Sequence, residues 1–162
     1  MLPRLRGADS VERGKPVQAW DLVDCAAAQG VESRAGDAVL VRSGAAPYWA
    51  APPDEHGTTG GPGLHASVLE FSFETDAALL GCDQLDAATE DQGIPNPMAI
   101  PTPVHVHQIA LPYMGMPLLD NCDLEALAAE CARLGRWEFQ LLIAPLVIEG
   151  GTGSPVDPIA LF

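Results

Sequence analysis

At 162 residues, with 48% hydrophobic and 19% charged residues, the chain is expected to fold as one domain over residues 1–162 with a real apolar core, and not to be disordered. A net charge of −14 repels phosphate backbones and anionic lipid, which argues against nucleic-acid and membrane-surface partners. No apolar run approaches the roughly 18 residues of a membrane span, and Met1 to Gly14 lacks the apolar stretch of a secretory signal.

Residues 1–16 read as an irregular lead-in broken by Pro3, Gly7, Gly14 and Pro16. Pro16 to Gly30 reads as a helix: apolar residues recur at three- and four-residue spacing, and Gly30 sits where a C-terminal cap belongs. Ala38 to Arg42 is short and β-rich, a candidate buried strand. Residues 44–63 carry four prolines and glycines at 44, 57, 60, 61 and 63, and are expected to form a long loop. Leu64 to Phe73 is a possible helix, and Ala77 to Asp83 a short buried strand ending in a polar turn. Residues 93–103 are again proline-rich.

His107 to Met114 predicts a short helix weakened by Pro112, and Pro117 to Asp120 a short extended segment. Asp123 is expected to cap a helix over Leu124 to Leu134, stopped by Gly135. The most apolar strand lies within Glu138 to Ile148, and Gly150 to Pro155 forms a tight glycine-rich turn. Helices interleaved with apolar strands predict an α/β domain. Cys25, Cys82, Cys122 and Cys131 form no C-x-x-C pair, so they are expected to be reduced, buried thiols of a cytoplasmic protein. The glycine-rich turn lacks the Lys of a phosphate loop, and no G-x-S-x-G nucleophile motif is present.

Three stretches resemble the cyclase family, which includes kynurenine formamidase, other arylformamidases and isatin hydrolase-like enzymes. The first is Gln29-Gly30-Val31 with Gly36-Asp37-Ala38-Val39-Leu40-Val41-Arg42-Ser43-Gly44. The second runs from His107 through Gly115 to Asp120-Asn121 and Asp123-Leu124-Glu125. The third joins Phe139, Ala144-Pro145-Leu146, Gly150 to Val156 and Pro158-Ile159-Ala160. Each is weak alone; their order and spacing make them specific. The resemblance implies a three-layer β/β/α fold, a divalent metal (zinc or manganese) and hydrolysis of a formamide, lactam or similar amide bond in a small-molecule substrate.

The same resemblance implies His107 and Asp120 as metal ligands, both competent donors. Asp120 stands where the family carries a longer Glu, so it either ligates directly or sits behind the metal, orienting His107 or a bound water. His105, Thr152 and Ser154 are expected at the substrate pocket. His105 would share a face with His107 in a strand but not in a helix. His65 is expected to be a partly buried hydrogen-bonding residue. Asp83 is either a turn carboxylate or a support for the metal site.

The sequence departs from the family in one respect: the 162 residues contain no H-x-G-T-H-x-D segment, which in family members supplies two histidines and an aspartate to the metal and lies near the expected acid/base histidine. His56-Gly57-Thr58-Thr59 is a chance partial likeness. The expectation is a family domain without its N-terminal metal-binding segment, with no catalytic residue assignable in this chain. It is therefore either part of a hydrolase whose reading frame continues upstream of Met1, or a non-catalytic binding and assembly module. Exposed strand edges in such a domain would favour a homo-oligomer.

Overall fold

The computed structural model describes residues 7–12, 14–52, 63–84, 86–87 and 104–162. Three parallel strands form its centre: β1 (Ala38–Val41), β2 (Leu79–Cys82) and β3 (Leu118–Leu119), in the order β1-β2-β3. Ala38 pairs with Leu79 and Leu80 with Leu118, so all three strands finish at the same end of the sheet. β2, flanked on both sides, is buried from Leu80 to Cys82. β1 is an edge strand, and of its residues only Val41 is fully buried, less than expected for that run.

Helix α1 (Ala19–Gln29) starts later than Pro16 because the Asp21 carboxylate accepts the Gln18 N–H at 2.8 Å, which fixes the first turn. Gly30 closes it at φ 67°, a left-handed conformation cheap only for glycine. Residues 46–50, expected to be loop, form helix α2 (Ala46–Ala50). Pro47 falls in its first turn, where a missing N–H removes no helical bond. Gly44, just before it, sits at φ 79°, and a side chain there would strike the Asp9 carbonyl and Ser10.

Helix α3 (Val68–Glu74) begins four residues later than Leu64, whose backbone instead bridges Val17 on one side and Asp86 on the other. Ser67 Oγ accepts the Ala19 N–H at 3.1 Å and donates to Gln18 Oε1 at 2.8 Å, tying the starts of α1 and α3 together. Helix α4 (His105–Ile109) starts two residues before the expected His107, and Ala110–Met114 continues it as a wider π-helical turn that accommodates Pro112. Leu124, not Asp123, occupies the cap of α5 (Glu125–Leu134); the Asp123 carboxylate still accepts the Glu125 N–H at 3.1 Å. Gly135 ends that helix as expected.

The core gathers Val17, Leu64, Val68, Leu80, Cys82 and Val106, the last three carrying the sheet's buried face up to α4. Each such side chain contributes about 1.5–3 kcal/mol by leaving water. The apolar run near residue 140 does not join this core. β4 (Gln140–Leu142) and β5 (Ile159–Leu161) make a separate two-stranded antiparallel sheet, with Leu142 opposite Ile159. That sheet covers one face only, leaving Leu142, Ile159 and Leu161 exposed. The four cysteines are free; Cys82 and Cys131 are buried, whereas Cys25 and Cys122 are only partly covered. No helix among the described residues is long and apolar enough to cross a membrane. The partial likeness at residues 56–59 and the proline-rich stretch at 93–103 lie outside the described residues.

Candidate functional site

The carboxyl ends of parallel strands are where α/β sheets collect ligands, because side chains from adjacent turns converge there. Here the turns following β1, β2 and β3 bring Ser43 and Gly44, Asp83 and Asp86, and Asp120 and Cys122 to that end. The Cys122 N–H donates to the Cys82 carbonyl at 3.0 Å, so the third turn is pinned to the second.

Asp83 organises the first turn. Its Oδ1 accepts the Ser43 N–H at 2.8 Å and the Ser43 hydroxyl at 2.7 Å. Its Oδ2 accepts the Gly44 N–H at 2.8 Å and the Ala45 N–H at 3.0 Å. A buried carboxylate so satisfied holds a turn, and its oxygens point at backbone donors. Of the two sequence readings of Asp83, the turn carboxylate describes these contacts.

His107 is the centre of the cluster. Its Nδ1 lies 2.7 Å from Asp86 Oδ1 and its Nε2 lies 2.8 Å from Asp120 Oδ2. The Val106 N–H donates to Asp86 Oδ2 at 2.6 Å. The Asp86 side chain is 2% exposed, against 24% for His107 and 27% for Asp120, so the cluster opens to solvent on the Asp120 side. Hydrogen bonding to Asp120, and then to Asp86, raises the His107 pKa from 6.5 to about 10 against the opposing effect of burial. The metal-free ring is thus an imidazolium between two carboxylates. Burial first, then the Asp120 charge, raises both nearby thiols: Cys82 well above its ordinary value and Cys122 to about 11. The Cys82 thiol donates to the Gln84 carbonyl.

The two residues expected at a metal are therefore in contact, and Asn121 at φ 53° makes the turn directly after Asp120. The other expected site residues lie in α4 and in the connection between β4 and β5. His105 lies in α4, where a two-residue offset puts it on a different face from His107; it is 2% exposed, and its Nδ1 meets no hydrogen-bond partner among the described residues. Ser154 Oγ accepts the Leu146 N–H at 3.0 Å within the connection between β4 and β5, and Thr152 is exposed in the same connection. His65, partly buried, accepts the Ser67 N–H through Nδ1 at 3.0 Å, as expected of it. Sequence reading missed Asp86. Its position in a polar turn directly after a buried parallel strand was the available signal. A cleft of about 460 Å³ runs along β1 between α1, α5 and Trp137 to Leu141, and none of its lining residues belongs to the His107 cluster.

The family model described as "Putative cyclase" matches residues 5–89, just over half of the chain. The chain belongs to the cyclase family. A crystal structure of a novel cyclase superposes on this family member with a TM-score of 0.81 at 28% sequence identity. The match covers 99% of this chain and 51% of that one, so the cyclase-family chain spans about half the length of its solved relative. No curated protein matches it. The mixed α/β architecture with its parallel sheet is accordingly the cyclase fold over that span.

The donor chemistry at His107 and Asp120, one imidazole nitrogen and one carboxylate oxygen converging on a partly open edge, suits a divalent cation such as zinc or manganese. Among the described residues, no group of three or more His, Cys, Asp or Glu is assembled for a metal. Among its described residues the cyclase chain thus offers a pair of donors and not a full set.

Proposed function

We propose that this chain is part of a metal-dependent hydrolase acting on a formamide, lactam or similar amide bond of a small molecule, with His107 Nε2 and Asp120 as its contribution to the metal site. The observation that carries the reading is the convergence of those two donors at the carboxyl end of the parallel sheet. A divalent cation held there would supply Lewis-acid activation of the scissile carbonyl and of water. A catalytic zinc site takes three protein ligands, so a complete site needs at least one donor besides this pair. Asp83 keeps the Ser43–Ala45 turn fixed beside the cluster. Thr152 and Ser154 are proposed to border the pocket, with His105 supporting it from within α4. Free thiols accord with a cytoplasmic setting.

The test is hydrolysis of N-formylkynurenine and simple lactams by the purified chain with added zinc or manganese. Turnover that a chelator abolishes and that His107→Ala lacks supports the reading. A second reading, a non-catalytic assembly module, is favoured by the exposed apolar face of the β4–β5 sheet together with the half-length match. It predicts no turnover with either metal.

A further inference from the structure

A histidine can present either ring nitrogen to a ligand, and the hydrogen bond at the other nitrogen decides which. In this chain the decision is built into the fold on the buried side of His107. Asp86 is strung on the Leu64 backbone, which bridges it to the core, and the Ala87 N–H donates to the Leu64 carbonyl at 2.9 Å. Its Oδ2 is held by the Val106 N–H at 2.6 Å, one residue before His107 on the same helix. Its Oδ1 is left facing His107 Nδ1 at 2.7 Å. An ionised carboxylate only accepts hydrogen bonds, so the ring nitrogen opposite it must carry hydrogen. With a side chain 2% exposed, Asp86 has little access to water as a substitute partner.

We infer that Asp86 is a positioning residue that keeps the Nδ1 proton on His107 and thereby presents Nε2 at the open, Asp120 side. Asp120 cannot do this, being on the exposed side where the ligand would arrive. The inference rests on the reading that His107 and Asp120 receive a cation, since that gives the choice of nitrogen its purpose. Its geometric content stands without the metal. Of the two carboxylates on one imidazole, Asp120 is the one that exchanges a proton contact for a cation, and Asp86 is the one that stays.

The experiment is nitrogen NMR of the histidine rings in the metal-free 162-residue chain carrying Asp120→Ala, which frees Nε2 and makes the neutral ring accessible. The expected spectrum shows Nδ1 protonated and Nε2 bare. A ring with its proton on Nε2, or one averaging both forms, overturns the inference. Adding Asp86→Asn is expected to move the proton to Nε2 or to allow averaging, a change that a merely structural role would not produce. Should that double variant fail to fold, the Asp120→Ala spectrum alone decides. With Asp120 intact, Asp86→Asn is expected to weaken zinc binding about 10- to 100-fold. If the wild-type chain takes no zinc while Asp120→Ala shows the expected tautomer, the metal reading is sunk and the role of Asp86 stays in place.

Discussion

At the scale of single residues, His107 is held by charge on both sides, and this gives its stability contribution a definite pH signature. Its pKa is raised in the folded state from 6.5 to about 10, chiefly by hydrogen bonding to Asp120 and Asp86. A raised pKa means the folded state binds the proton more tightly than the unfolded one. The contribution is therefore complete below about pH 6.5, declines between 6.5 and 10, and is gone above about 10. In urea unfolding of the metal-free chain, the stability gap between wild type and His107→Ala should narrow steadily across that window. A gap constant from pH 6 to 10 would show that the ring is not an imidazolium between carboxylates. His107 and Asp120 were legible in the sequence as a pair through the family resemblance. Asp86 was not, because nothing local marks which of several acidic residues in a polar turn is the buried one; the bridge to Leu64 decides it, and that is a long-range contact.

At the scale of elements, the site depends on three turns being held in register at the end of the parallel sheet. Asp83 carries the first of these, accepting four hydrogen bonds from Ser43, Gly44 and Ala45. Asp83→Ala would leave three backbone donors without their acceptor, and we expect a loss of about 3 kcal/mol in chemical unfolding. A loss below about 1 kcal/mol would mean that water replaces the carboxylate easily. Arg42 adds a second tie, its guanidinium reaching Glu125 of α5 in a two-pronged contact of 2.9 and 2.6 Å. Periodicity and glycine caps found α1 and α5 because those helices are determined locally. The same local signals missed α2, where proline and glycine suggested only loop and the Asp83 contacts are what stabilise a turn of helix. They also found the strand around Leu141, while what covers a strand is a property of the whole fold.

At the scale of the whole molecule, charge and apolar surface oppose one another. The β4–β5 sheet shows Leu142, Ile159 and Leu161 on one exposed face, and Leu146, Val147 and Ile148 of the connecting segment are exposed as well. Such a surface favours association, while a net charge of −14 per chain resists it. Salt screens the repulsion and leaves apolar burial intact, so sedimentation velocity should show association rising with ionic strength and falling in Leu142→Lys. A chain monomeric at all salt concentrations would contradict this. The central proposal is that His107 and Asp120 are two donors of a metal site. Calorimetric titration of the purified chain with zinc tests it most directly: weak binding of one ion, lost in both His107→Ala and Asp120→Ala, is the predicted result. Either tight binding that survives both substitutions, or no binding by the wild-type chain, would contradict it.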